Sequence, residues 1–165
     1  MSRATEDRIL VIEAQAETRR HMCEYLAQLG YQVDQAGSGA EGLTLLGTEE
    51  YGAVLYDAAA DEAGEPGVPE ILAEHPDVSV VVMSASPSVK GVIASLRGGA
   101  FDYIIKPYEI QDLAQILPRA TGRSRENRSR RELYAESFSG TGKLDVSGGG
   151  GQPETIVGRG VTVGD

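Results

Sequence analysis

At 165 residues, 24% charged and 41% hydrophobic, the chain is long enough for one domain of the commonest size plus flanking segments. It has no apolar run near the roughly 18–20 residues of a membrane helix, no apolar secretory core in its opening MSRATEDRIL, and one cysteine, Cys23, which excludes a disulfide framework and a cysteine-based zinc site; a reducing, cytoplasmic setting is expected. The formal charge of −10 is uneven, with 7 Lys/Arg against 19 Asp/Glu in residues 1–118 and 8 against 6 in residues 119–165, so nucleic-acid binding by the first part is disfavoured.

Ile9-Leu10-Val11-Ile12 is short and wholly apolar, the pattern of a strand buried on both faces. Met22, Leu26 and Leu29 then recur at helical spacing and Gly30 supplies the stop. Tyr31 to Ala36 reads as a second strand, and Ser38 with Glu41 as a capping box for a helix carrying Leu43 and Leu46. Ala53 to Tyr56 is a third strand, ending on Asp57. The acidic Gly- and Pro-bearing stretch from Asp61 to Pro69 predicts a loop, with at most a short helix from Pro69 to His75. Val78 to Met83 is a fourth strand. Ser86-Pro87 then predicts an N-cap and a first-turn proline for a helix with an apolar stripe of Val89, Val92, Ile93 and Leu96, closed by Gly98-Gly99.

Phe101 to Ile105 is a fifth strand, and Ile110, Leu113, Ile116 and Leu117 mark a fifth helix that Pro118 should end or kink. The folded domain is expected to close near Thr121. Arg119, Arg123, Arg125, Arg128, Arg130 and Arg131 read as a solvated linker helix across 122–136, with nucleic acid or an acidic membrane surface as the other readings. Ten of the 21 glycines lie after residue 118, and 137–165 is expected to stay disordered because it has too little apolar surface to offset its ordering entropy.

Five alternations of strand and helix with short connections argue an α/β fold, a five-stranded parallel sheet with helices on both faces. In such sheets the site lies beyond the carboxyl ends of the strands. Glu13 and Ala14, Asp57, Ser84 and Lys106 would converge there. Glu13-Ala14-Gln15-Ala16 lacks the glycines that a dinucleotide fingerprint or P-loop needs after strand one. A carboxylate beside a cation can act as nucleophile toward a phosphoryl group, whose oxygens an ammonium, a hydroxyl and Mg²⁺ would stabilise.

The order DRILVIE, VLY-Asp57, M-Ser84-A and GGAFDYII-Lys106-Pro107 resembles the receiver domain of two-component response regulators, over roughly residues 7–121. The resemblance implies a CheY-like, flavodoxin-like fold with strand order 2-1-3-4-5 and a receiver domain over 1–121. It implies a signalling phosphoacceptor rather than an enzyme: Asp57 as acceptor, a histidine kinase or phosphotransfer protein as donor, and Lys106 paired with the phosphoryl group. Ser84 would be the hydroxyl reaching the phosphoryl oxygen, Tyr103 the aromatic switch residue, and Lys106-Pro107 a cis peptide. A downstream protein and a homodimer through helix four, strand five and helix five are further implied partners.

Two departures stand against the family pattern. Ala14 replaces the second of two adjacent acids, the one expected to touch Mg²⁺, so the implied metal set reduces to Glu13, Asp57 and the Ala59 backbone carbonyl. Glu13 is one methylene longer than Asp and would reach further. The loop after Asp57 reads Ala58-Ala59-Ala60-Asp61-Glu62-Ala63, and a short span to Ser84 implies a clipped third helix. Two readings follow: a phosphorylated switch with weakened metal dependence, or a pseudo-receiver that binds partners without phosphorylation. A flavin binder on the same fold is a third class that fold alone does not support.

Several other residues invite attention. His21 and His75 lack companion ligands and read as solvent-facing, and Cys23 as a small, at least half-buried side chain. Asp57 as a helix cap, Ser84 as an ordinary loop serine and Tyr103 as a packing residue are the plainer readings of those positions. Ser139-Gly140-Thr141-Gly142-Lys143 mimics half a phosphate loop without its first glycine or a preceding strand. Thr155 to Arg159 resembles the entry to the AAA+ module that follows some receivers, with only a few residues after it.

Overall fold

The computed structural model describes residues 7–60 and 66–148, with side chains to residue 137. The elements in order are β1 (Arg8–Ile12), α1 (Ala16–Gln28), β2 (Gln32–Ala36), α2 (Gly39–Leu46), β3 (Ala53–Asp57), a 3-10 turn (Ala58–Ala60), α3 (Val68–Glu74), β4 (Ser79–Ser84), α4 (Val89–Arg97), β5 (Asp102–Ile105) and α5 (Ile110–Gly148). The five strands form one parallel sheet in the order β2-β1-β3-β4-β5. The inner strands are the ones whose sequences are unbroken in apolarity, because a parallel sheet covered on both faces buries every side chain of its central strands. β3 and β4 are buried along their whole length, and β1 from its second residue onward.

Alternate residues of the strands feed two cores. Ile9, Val11, Leu55, Val81, Met83 and Ile104 face Met22 and Leu26 of α1 and Leu113, Leu117 and Ala120 of α5. Leu10, Ile12, Val54, Tyr56, Val80 and Val82 share the other core with Leu46 and Ile71. Each such side chain, fully buried, is worth about 1.5–3 kcal/mol. Gly30 and Gly99 end α1 and α4 at φ of 97° and 107°, a left-handed conformation that a Cβ penalises. At Gly99 a Cβ would also stand 2.8 Å from Leu72 Cδ1.

Two caps differ in detail from the sequence reading. Ser38 Oγ accepts the Glu41 N–H at 3.2 Å as expected, but the Glu41 carboxylate takes the Gly37 N–H at 2.7 Å. α4 is capped by Ser88, whose Oγ accepts the Gly91 N–H at 3.0 Å, rather than by Ser86. The Ser86 N–H is already held by Ser84 Oγ at 3.1 Å, which keeps 84–86 in a turn and delays the helix. α3 is short, seven residues.

α5 corrects the sequence reading most. Pro118 lies inside it. Pro118 and Ala114 are both exposed, so the carbonyl that loses its partner to proline has water available. The helix also passes the expected boundary at Thr121 and the expected onset of disorder at 137, running to Gly148. Once nucleated, a helix adds a hydrogen bond for each residue it fixes. Ser139 to Lys143 are therefore helical and form no phosphate loop, while Thr155 to Arg159 fall outside the described residues. The chain divides into two units, Met1–Asn127 and Arg128–Asp165.

The first unit extends to 127 because polar groups tie α5 to the amino ends of the strands. Ser124 Oγ accepts the Ser79 N–H at 2.9 Å and donates to the Gly52 carbonyl at 2.6 Å, and Ser79 Oγ donates to the Ala120 carbonyl at 2.7 Å. Arg125 holds both oxygens of Asp7 at 3.0 Å, and Asn127 donates to the Asp77 carbonyl at 3.2 Å. Arg119 and Arg123 sit over the Phe101 ring at 5.8 and 5.6 Å, and Arg119 lies 3.7 Å from Asp102. Half of the arginines read as a solvated linker thus anchor this helix. Ser124→Ala strands the buried Ser79 N–H and Gly52 carbonyl, and should cost about 1–3 kcal/mol, seen as a lower urea midpoint at unchanged slope. An unshifted midpoint would show that these groups find other partners.

Candidate functional site

The strand register delivers the expected residues to one rim. Asp57 is the last residue of β3 and pairs with Met83, while Ser84 ends β4 and pairs with Ile105. Glu13 follows β1, with its N–H on the Ala36 carbonyl at 3.0 Å, and Lys106 follows β5, with its N–H on the Ser84 carbonyl at 2.8 Å. Glu13 and Asp57 are each only 2% exposed.

Every oxygen of the two carboxylates accepts a hydrogen bond. The Lys106 ammonium donates to Asp57 Oδ2 and to Glu13 Oε1, the latter at 3.4 Å. Asp57 Oδ1 accepts the Ala59 N–H at 2.8 Å, and Glu13 Oε2 accepts the Gln15 N–H at 3.0 Å. Burial alone would raise the Asp57 pKa, but hydrogen bonds from Glu13, Lys106 and the Ala59 N–H outweigh it and hold Asp57 ionised below the usual carboxylate range. Glu13 goes the other way, raised first by burial and then by its hydrogen bond to Asp57. For Lys106, burial is outweighed by the bond and charge of Asp57 and then of Glu13, so its ammonium is held more firmly than usual.

The remaining expected residues are placed as follows. Ser84 is buried, and because its Oγ accepts the Ser86 N–H its own hydroxyl hydrogen stays available as a donor. Tyr103 is half-buried and packs against the core that contains Tyr56 and Val82. The Lys106-Pro107 peptide is cis, as the resemblance implies. Ala14 is exposed. His21 is exposed and His75 half-buried. Cys23 is half-buried against the core, with burial pushing its thiol pKa up.

Two contributors were missed by the sequence reading. Arg19 donates to the Glu13 carbonyl at 2.7 Å and to Gln35 at 3.0 Å, tying the turn after β1 to the end of β2. Tyr108 has its pKa pushed up to about 12, by burial first and then by Tyr25, Glu13 and Asp57. Neither residue stands out by composition or spacing, because Arg19 reaches the site through Gln35 and the Glu13 carbonyl and Tyr108 is brought within the field of the acids only by the fold.

The scan against protein families matches residues 9–118 to the response regulator receiver domain. The chain belongs to that family. Receiver domains are signalling modules that interact with histidine kinases and downstream effectors, and they are not enzymes in the usual sense. Among curated relatives, the transcriptional regulatory protein ZraR of Salmonella typhimurium is 31% identical over 140 residues, 84% of this chain and 31% of that protein. The regulatory protein AtoC of Escherichia coli is 30% identical over 115 residues, 69% of this chain and 25% of that one. The chain thus spans about a third or less of the length of these two relatives. A CheY-like receiver structure from Methanospirillum hungatei shares the fold at a TM-score of 0.63 and 21% identity, covering 73% of this chain and 97% of its own. Among the described residues no helix is long and apolar enough to cross a membrane.

Receiver domains generally bind Mg²⁺ in their acidic pocket. In this receiver the donor set departs from that pattern: the cleft acids Glu13 and Asp57 share the Lys106 ammonium, and Ala14 beside Glu13 brings no carboxylate.

Glu13 also sets a pH dependence. Its raised pKa means that its share of stability is fully present below its unfolded pKa and is lost as pH rises through the folded value. Glu13→Gln has no such loss, so its melting temperature relative to wild type should climb from about pH 4 to about pH 8. A difference that stays flat over that window would show that the Glu13 pKa is not raised in the folded cleft, and one that falls would show that it is lowered.

Proposed function

We propose that Asp57 accepts a phosphoryl group from the phosphohistidine of a histidine kinase or phosphotransfer protein, and that this switches a protein-interaction face of the domain. The observation that carries the reading is the buried Asp57 carboxylate, held ionised by Lys106 and the Ala59 N–H at the carboxyl edge of the sheet. An Asp57 oxygen forms the new O–P bond as the donor's N–P bond breaks, and the imidazole leaves with the bonding pair and takes up a proton. Charge on the transferring oxygens is met by the Lys106 ammonium and by the Ser84 hydroxyl.

The phosphoryl group adds charge and three acceptor oxygens, which is what a two-state shift requires. Ser84 turning toward it would carry the loop after β4, with Tyr103 on β5 and Pro107 just after that strand following. The responding face is that of α4, β5 and α5. Val89 of α4 is 78% exposed and Ile105 of β5 is 54% exposed, with Ile93 and Leu96 also open. A downstream protein or a second copy of the chain would cover these side chains, and such apolar exposure is what interaction faces present.

Intact-mass spectrometry after incubation with acetyl phosphate tests the reading. Wild type should gain a single adduct of about 80 Da, one phosphoryl group, and Asp57→Asn should gain none. Lys106→Ala should label roughly 100-fold more slowly. The second reading, a pseudo-receiver acting without phosphorylation, draws on the ammonium that already engages both acids. It becomes the function if no adduct forms on wild type.

A further inference from the structure

We propose that Lys106 is the resident cation of this cleft, and that alanine at position 14 leaves the cleft with no divalent-cation site of millimolar affinity. The functional consequence rests on reading Asp57 as the acceptor, whereas the binding claim does not.

Three observations combine. Glu13 and Asp57 carry at most two negative charges and Lys106 returns one, at 3.4 Å from Glu13 Oε1 and in direct contact with Asp57 Oδ2. A divalent ion drawn to either acid would meet that ammonium at short range, with like-charge repulsion in a site largely closed to water. Both acids are buried, so mobile salt screens their attraction to the ammonium only weakly. Next, Glu13 turns one oxygen back to its own loop, onto the Gln15 N–H at 3.0 Å. Its extra methylene therefore does not place both oxygens toward Asp57. A hard cation such as Mg²⁺ demands an octahedron of oxygens and is usually held by one or two carboxylates with water and substrate phosphate. Last, Ala14 stands directly after Glu13 at the end of β1 and carries no oxygen on its side chain. The Arg19 bond to the Glu13 carbonyl and the Glu13 N–H on Ala36 fix that strand end, so a carboxylate introduced at 14 would start from a held backbone.

Charge on a phosphoryl group at Asp57 would then be met by Lys106 and the Ser84 hydroxyl, and labelling would proceed alike with and without Mg²⁺.

The test is a Mn²⁺ titration read by electron paramagnetic resonance on the full chain, wild type, Ala14→Asp and Lys106→Met, with circular dichroism as the folding control. Wild type should bind more weakly than about 1 mM. Ala14→Asp should tighten binding at least about tenfold, and Lys106→Met at least several-fold, by adding an anion and removing a cation. Sub-millimolar binding by wild type would overturn the proposal, as would a folded Ala14→Asp protein that binds no more tightly. Should Ala14→Asp fail to fold, Lys106→Met decides: tighter binding supports the proposal and unchanged binding refutes it. Acetyl phosphate labelling that requires Mg²⁺ would also overturn it. Absence of labelling alongside the expected Mn²⁺ results would instead refute Asp57 as the acceptor and leave the cation assignment standing.

Discussion

Two carboxylates buried side by side repel each other and have lost most of their hydration, and in this protein one ammonium makes that arrangement tolerable. Lys106 bonds to both Asp57 and Glu13, which keeps Asp57 charged and leaves the excess proton affinity on Glu13. A buried pair of this kind adds little net stability, yet removing one partner leaves an uncompensated charge. The contact is therefore better understood as a device that keeps a buried carboxylate ionised out of water than as a brace.

The topology explains why a lysine fills the role. Asp57 ends β3 and Lys106 follows β5, with β4 between them. Neighbouring strands lie about 4.8 Å apart, so only a long side chain spans two of them. The peptide of Lys106 is meanwhile fixed by its N–H on the Ser84 carbonyl. Ser84 and Lys106 are thereby linked through the backbone of adjacent strands, and the Lys106 side chain joins Asp57 to them.

The opposite edge of the sheet serves a different purpose. There Ser79, Ser124 and the Gly52 carbonyl bond to one another, and Arg125 clamps Asp7. These contacts fix the rotation of α5 against the amino ends of the strands, while Leu113 and Leu117 anchor its earlier turns in the core.

Strand identity, the parallel sheet and the residues of the rim were legible in the sequence, because uninterrupted apolar runs and a polar residue ending each are local patterns. Asp57, Ser84, Lys106 and Glu13 followed from that alone. Relations between distant segments were not legible. The Arg19 bond to Gln35 and the seating of α5 beyond Thr121 each rest on a partner far away in sequence. Pro118 shows the same limit, since a proline breaks a helix or rides in it according to whether its freed carbonyl finds water. Composition and period determine which segments form strands and helices; which polar groups share a proton, a cation or a buried hydroxyl is decided only when the folded sheet brings them within about 3 Å of one another.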